Sequence, residues 1–287
     1  MVNKDRGRDY DISGGHTTEP LELDDVIVKF TANYQFNDDL LLYGTYSEGF
    51  RPGGWNRGGG IAATNPEYPT VSSTYDSDDV QNYELGWKMT LMDGAMRFIG
   101  SAYYVDWTDM QVTRFDPQNV SILTFVENAA DASIKGIEGD LIYKPSENLT
   151  LFGGFSFNNT ELEAVFGQAV ELAPIGSELP LTPNHQFSLR ARYDWFLDNG
   201  WNTYAMGAIQ HASTSFSSVV AAKRVGQDNY TQMDASIGAT KESWKVELFA
   251  ENMSNERAEL FINDQDDTMR IATNRPFTLS LRVSYDL

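Results

Sequence analysis

The sequence predicts an all-β protein, an antiparallel transmembrane β-barrel with about eleven long strands. Three observations favour this fold class: apolar and polar residues alternate at a period of two, the alternating segments run for about 10–12 residues, and short connections alternate with long ones. An amphipathic helix would repeat its apolar residues about every 3.6 positions instead. Globular strands usually hold about 5–6 residues, whereas a tilted strand that crosses a bilayer needs about 9–11.

The alternation is clearest near the end of the chain, where Leu281 and Val283 are separated by Arg282 and followed by Ser284. Residues two apart on a strand share a face, so Leu281 and Val283 are expected to contact lipid while Arg282 and Ser284 face the lumen. In chain order the predicted strands are 23–36, 39–50, 79–92, 95–113, 122–145, 149–160, 183–197, 201–216, 229–240, 243–254 and 274–287. The fifth strand is expected to be interrupted near 128–132.

The connections alternate strictly between tight turns and long polar segments. Tight turns are predicted at Asn37-Asp38, Asp93-Gly94, 146–148, 198–200 and near Lys241-Glu242, and long connections over about 52–78, 114–121, 161–182, 219–228 and 255–273. Outer-membrane barrels have this asymmetry, with short periplasmic turns and longer extracellular loops. The long connections are therefore expected to face the outside of a bacterial cell.

Composition excludes several classes of function. The net charge of −20 argues against binding to nucleic acid, which needs a basic surface. The chain has no cysteine, so disulfides, zinc–thiolate sites and cysteine nucleophiles are excluded. It has three histidines and no G-x-S-x-G motif, so we expect no enzyme. No apolar segment near Met1 resembles a signal peptide, and no run of about 18 apolar residues could form a membrane helix.

Six short segments carry a resemblance to a known family. They read YSEGFRPGG at 46–54, YELGWK at 83–88, YVDWTDMQ at 104–111, NAA at 128–130 followed by IKGIE at 134–138, LPLTPNH at 179–185, and ENMSN at 251–255. Each is weak by itself, because glycine and proline at strand ends serve any barrel wall. In this order, over roughly 25–287, they resemble the barrel of TonB-dependent outer-membrane receptors.

The resemblance implies an architecture and a function. Such barrels have twenty-two strands around a lumen filled by a plug domain, so the chain would supply about half of one. Residues 1–22 would form a polar strand stump and loop, and 23–287 the C-terminal part of the barrel. The function implied is uptake of a scarce nutrient, most often a ferric siderophore, across the bacterial outer membrane. The expected partners are membrane lipid, the nutrient chelate, and TonB acting through a plug and TonB box that this chain lacks.

The first long connection holds the candidate ligand-binding residues, Arg51, Trp55, Asn56 and Arg57. Two arginines beside an aromatic ring would suit an anionic chelate, although an ordinary polar loop has the same composition. The last long connection, at Asn263–Asp267, is rich in side-chain oxygen. Asp264, Asp266 and Asp267 are candidate Ca²⁺ ligands, but their spacing is not that of an EF-hand, and a solvated acidic loop is the plainer interpretation. No other cofactor is expected.

Two other functions remain compatible with the sequence alone. A soluble or surface β-sandwich that binds glycans would also have alternating strands, and exposed tryptophans could stack on sugars. A small stand-alone porin-like barrel would share the strand length and the loop asymmetry. Strand length and the ordered motifs disfavour the sandwich, which would remain monodisperse without detergent.

Overall fold

The computed structural model describes residues 26–56, 74–115, 124–165, 172–265 and 268–286. The strands are β1 (Lys29–Asn37), β2 (Leu40–Arg51), β3 (Gly54–Trp55), β4 (Thr74–Tyr75), β5 (Asp78–Leu91), β6 (Met96–Phe115), β7 (Thr124–Tyr143), β8 (Leu149–Val165), β9 (His185–Phe196), β10 (Asn202–Ala212), β11 (Ser215–Phe216), β12 (Gly226–Gln227), β13 (Tyr230–Lys241), β14 (Trp244–Glu251), β15 (Glu259–Gln265), β16 (Thr268–Thr273) and β17 (Thr278–Tyr285). A short 3₁₀ turn spans Ala221–Lys223. No helix in these ranges has the length and apolar character needed to cross a membrane.

Eleven of these strands form one antiparallel sheet, in the order β1-β2-β5-β6-β7-β8-β9-β10-β13-β14-β17. Each strand of the sheet pairs with its neighbour in the chain, so every tight turn lies at one end and every long connection at the other. At the tight-turn end, Gly94 and Gly200 adopt left-handed φ angles of 89° and 85°, which glycine accepts without strain. The predicted fold class, the eleven strands and the five tight turns are confirmed.

The structure corrects two details of the predicted strands. The predicted interruption near 128–132 is wrong in that β7 remains one strand through that segment. Its pairing is irregular there, however: β6 and β7 shift register between Trp107 and Gln111, where Asp109 adopts a φ of 53°, and β7 and β8 shift register at Asp131. The strand predicted at 201–216 ends at Ala212, and the next two paired residues belong to the separate strand β11. Three two-stranded pairs, β3–β4, β11–β12 and β15–β16, form at the long-connection end. Except for β11, which lies at the end of the predicted strand 201–216, their strands fall in the predicted long connections.

One face of the sheet is apolar on all eleven strands. A single cross-strand row, for example, brings Leu85, Ala102, Ile137 and Phe157 side by side. These side chains are exposed, and Leu281 retains 68 % of its accessible surface. An apolar face of this extent is far larger than the patches found on soluble proteins and matches the lipid-facing surface of a membrane barrel. Within the described residues no second sheet covers it, as a β-sandwich would require.

Aromatic pairs mark both limits of this apolar face. Towards the long connections, the rings of Tyr46 and Tyr83 lie 5.1 Å apart, and Tyr104 continues the row. Towards the tight turns, the rings of Trp244 and Tyr285 lie 4.9 Å apart. Aromatic girdles of this kind flank the apolar band of outer-membrane barrels. The membrane-spanning part of the sheet therefore lies between these pairs.

The opposite face of the sheet is polar, as the alternation predicts. It carries charged side chains on most of its strands, among them Glu84, Glu138, Arg190, Arg192, Glu247 and Arg282. Some of these side chains pair along the wall: Lys245 Nζ lies 2.8 Å from Glu247 Oε1. Leu281 and Arg282 consequently lie on opposite faces, in agreement with the predicted alternation.

Glycines on the polar face make room for tyrosine rings from the adjacent strand. The ring of Tyr43 covers Gly86 so closely that a Cβ atom there would lie 2.1 Å from the ring. This placement lets the Tyr43 hydroxyl donate a 2.6 Å hydrogen bond to Glu84. The same arrangement occurs with Tyr103 over Gly136 and with Tyr204 over Gly238. Each ring covers the backbone that a strand glycine would otherwise leave bare.

Replacing Gly86 by alanine should destabilise the barrel by about 1–3 kcal/mol, because the new methyl group displaces Tyr43 from its hydrogen bond. Gly207→Ala is the matched control, since no atom lies within 4 Å of a Cβ atom at that mid-strand glycine. Urea unfolding of the full-length protein in lipid vesicles measures both changes. Equal destabilisation by the two variants would contradict the packing argument.

Candidate functional site at the long-loop end

The long-connection end of the sheet is a folded structure with its own hydrophobic core. Strands β6, β7 and β8 extend beyond their neighbours, and the connections at 172–182 and 215–227 pack against these extensions. We call this unit the loop platform. Its buried side chains are Met110, Val112, Ala129, Ala130, Ala132 and Leu162 from the strands and Leu172, Ala173, Leu179 and Val219 from the connections. Backbone hydrogen bonds join the layers, such as Leu162 N to Ser177 O at 2.9 Å and Ala173 N to Val219 O at 2.8 Å.

Beside the loop platform, Asp78 forms a fully buried hydrogen-bonded centre at the start of β5. Its carboxylate forms an ion pair with Arg51, whose Nε donates at 2.9 and 3.0 Å. The Trp107 indole donates to it at 3.0 Å and the Gln111 backbone N–H at 3.1 Å. The Arg51 guanidinium also lies over the Trp107 ring, 5.1 Å from its centroid. One carboxylate therefore joins β2, β5 and the irregular part of β6.

The pKa of Asp78 reflects two opposing effects. Burial alone raises the pKa of this carboxyl, but the hydrogen bonds from Arg51, the Gln111 backbone and Trp107 outweigh it. The pKa of Asp78 is therefore lower than that of an ordinary aspartate, and the carboxylate remains charged at neutral pH. An ion pair that is this completely hydrogen-bonded is well defined in geometry, because every buried oxygen has a donor.

The two arms of the first long connection cross β6 and reach β7. We call residues 51–56 and 74–77 the strap. Asn56 pairs with the backbone of Val126 through its carboxamide, donating at 2.8 Å and accepting at 2.7 Å. In the other arm the asparagine lies on β7: the Asn128 carboxamide accepts from Asp76 N–H of the strap at 2.8 Å and donates to Asp76 O at 3.1 Å. Two asparagine side chains thus form the hydrogen bonds to β7 that a paired strand would otherwise form through its backbone.

The strap lies on the polar face of the sheet. Arg51 and Trp107 have the same parity on their strands as Tyr43 and Tyr103, which cover glycines on that face. The Gln111 side chain fills the crossing point, because its Nε2 donates to Pro52 O at 3.2 Å and to Asp76 O at 3.0 Å. The base of the first long connection is therefore folded inward over β6 and β7.

The last long connection is also held at its base by hydrogen bonds of a buried asparagine. Asn252, which is buried and has a φ of 51°, donates to Glu256 O and Arg275 O at 2.8 Å each. Its backbone N–H donates to Asp234 Oδ1 at 2.7 Å. Gln227 of the loop platform donates to Glu259 O of β15 at 2.9 Å. The platform and the β15–β16 hairpin are thus linked by direct hydrogen bonds.

The structure brings three of the predicted ligand-binding residues together in the strap. Arg51 is half exposed and held by Asp78, Asn56 is bonded to β7, and Trp55 keeps 43 % of its surface exposed within β3. Arg57 lies outside the described residues. Contact of these residues with a ligand stays a prediction. Sequence reasoning did not single out Asp78, and it included Gln111 and Asn128 only as members of the quoted motifs.

The predicted calcium site falls almost wholly outside the described part of the chain. Asp266 and Asp267 are not described, and of Asp264 only the backbone is, near the end of β15. Among the residues whose side chains are described, no group of three or more histidine, aspartate or glutamate residues could hold a metal ion. The calcium site stays a prediction.

A family model described as "TonB dependent receptor-like, beta-barrel" matches residues 4–255. The chain belongs to this TonB-dependent receptor family. Members of this family are transport receptors of the Gram-negative outer membrane. The strap and the loop platform therefore lie at the long-connection end of a receptor barrel, whose polar face lines the lumen.

Solved receptors share the fold of this barrel. The ferric yersiniabactin uptake receptor FyuA of Yersinia pestis matches with a TM-score of 0.75 and 16 % identity, over 94 % of this chain and 38 % of FyuA. BauA, the ferric preacinetobactin receptor of Acinetobacter baumannii, matches with a TM-score of 0.70 and 19 % identity, over 95 % and 38 %. The ferripyoverdine receptor of Pseudomonas aeruginosa matches with a TM-score of 0.67 and 15 % identity, over 94 % and 34 %. The chain thus spans little more than a third of these receptors.

Truncating Leu162, which is fully buried in the loop platform, should cost about 2–5 kcal/mol of local stability. Leu162→Ala should therefore speed proteolysis of the connection between β8 and β9. The membrane-spanning segments should remain protected, because this core lies on the extensions of β6–β8 beyond them. Leu260→Ala, at a half-exposed position, is the control and should leave the cleavage rate unchanged. Equal cleavage of the two variants would show that the platform core does not hold the connection.

The strap should keep its position in mild acid. Because the folded-state pKa of Asp78 is lowered, its contribution to stability is present above the ordinary aspartate pKa of about 4 and is lost as the pH falls through the lowered value. A spin label on Thr74→Cys should therefore stay immobile from neutral pH to about pH 5 and become mobile only in stronger acid. Mobility that appears between about pH 5 and 6 would contradict this sign.

Proposed function

We propose that this chain supplies part of the wall and the extracellular mouth of a TonB-coupled outer-membrane receptor that imports a ferric siderophore or a similar iron chelate. Residues 23–287 would form the C-terminal part of its barrel, as the order of the motifs predicts. Membership of the TonB-dependent receptor family supports the transport role. The titles of the matched structures name ferric yersiniabactin, ferric preacinetobactin and ferripyoverdine, which favours iron chelates as the ligand class.

The observation that carries this proposal is the ordered, inward-folded mouth. A passive porin needs an open channel for water and small solutes. Here the strap lies across the lumenal side of β6 and β7, and the loop platform has a buried core of its own. A mouth of this kind restricts entry and presents shaped surface, as selective capture requires.

Within that mouth, the candidate residues would have different roles in ligand binding. Trp55 offers an exposed ring for stacking against a catecholate or another aromatic chelator. Arg51 would act mainly through position, because Asp78 already neutralises its charge. Arg57 would contribute positive charge towards an anionic chelate, and Asp264, Asp266 and Asp267 would bind Ca²⁺ if that loop has a structural ion. TonB would act through a plug domain on a longer chain.

Growth on ferric chelates tests the proposal. A strain that lacks its own siderophore receptors should grow on at least one ferric chelate when it carries the receptor that contains this barrel. That growth should disappear when tonB is deleted. The 287-residue chain by itself should support no growth, since TonB coupling needs a plug. Growth that persists without TonB would favour a porin-like channel, and binding of labelled glycans without iron uptake would favour a glycan-binding function.

A further inference from the structure

We propose that Asp78 is a positioning residue for ligand capture: it holds the strap folded inward over the lumenal wall, although it is buried and touches no ligand. The inference rests on the proposed function for its consequence, since capture is measured with a chelate. Its structural part, that one carboxylate sets the position of the strap, is independent of which ligand is carried.

Among the residues that bond to the strap, Asp78 has the central position. Each arm reaches β7 through one asparagine carboxamide, and these bonds link half-exposed groups. Two of the groups that fix where the strap begins, Arg51 and Gln111, are both bonded to Asp78. Without the charge of Asp78, the Arg51 guanidinium loses this ion pair, and the turn from β2 into the strap loses its anchor.

The strap has few other ways to hold its position. The hydrophobic core of the loop platform draws no residue from the strap. Its two-residue ladder, β3 with β4, is too short to be stable alone. Polar contacts therefore set its position, and buried ones contribute more than exposed ones because water does not compete for them.

The position of the strap matters for capture because of what it carries. Trp55 lies on β3 and keeps 43 % of its surface exposed. A ligand that needs this ring would bind only the latched form, in which Asp78 holds the strap against the wall. If the latched form fell to about one molecule in ten, the apparent affinity would fall about tenfold with no ligand contact removed.

The test compares strap position and chelate binding in the same full-length receptor. Thr74→Cys on β4 and Val126→Cys on β7 form a reporter pair, since β4 lies beside β7 and the chain has no native cysteine. A short bismaleimide should crosslink this pair readily. Adding Asp78→Asn should slow crosslinking and weaken ferric-chelate binding about tenfold. Asp106→Asn, on the opposite face of the neighbouring strand β6, is the matched control and should change neither.

Rescue separates positioning from a general folding defect. Asp78→Asn receptor that has been crosslinked through the reporter pair should regain the binding of the unmodified receptor, which a misfolded barrel would not. Unchanged crosslinking in Asp78→Asn would overturn the proposal, and so would slower crosslinking with unchanged binding or a loss of binding that crosslinking does not restore. If the parent receptor bound no ferric chelate, the proposed function would fail, and the crosslinking rate would still decide whether Asp78 latches the strap.

Discussion

The hydrocarbon core of the membrane imposes the constraint on which the rest of this structure depends. No water is present there to satisfy backbone N–H and C=O groups, so a spanning sheet must pair every strand with a neighbour. The eleven-stranded antiparallel sheet meets this demand between its edge strands, β1 and β17. The long strands, the tight turns at one end and the strict period of two all follow from the need to pair every backbone group inside the hydrocarbon core.

The same constraint explains the division of the sheet into two faces with different packing. On the lipid face, apolar side chains need no protein partner, because acyl chains surround them. On the lumenal face, tyrosines lie over glycines and donate to carboxylates one or two strands away. These contacts stiffen the wall in a region where no conventional hydrophobic core exists.

Beyond the membrane, the physics changes to that of a water-soluble protein. The extensions of β6–β8 bury aliphatic side chains under two connections, and the strap is held by a buried ion pair and two asparagine carboxamides. The part of the chain that meets a ligand first is therefore built from contacts between distant segments. Arg51 illustrates the outcome: an arginine that looks available to an anion in the sequence is joined to a carboxylate 27 residues away.

The sequence by itself determined the fold class, the eleven strands, the face of the sheet on which each strand residue lies, and the family resemblance. These follow from local alternation and turn residues, because lipid on one side and a polar lumen on the other act on every residue in turn. Only the tertiary structure decided the continuity of β7, the three loop hairpins, the platform and the strap. These depend on pairings such as Asn56 with Val126, between segments far apart in the chain, which leave no periodic trace. Asp78 shows the difference most clearly, since the sequence marks it as the polar start of a strand and only burial among Arg51, Trp107 and Gln111 makes it the anchor of the mouth.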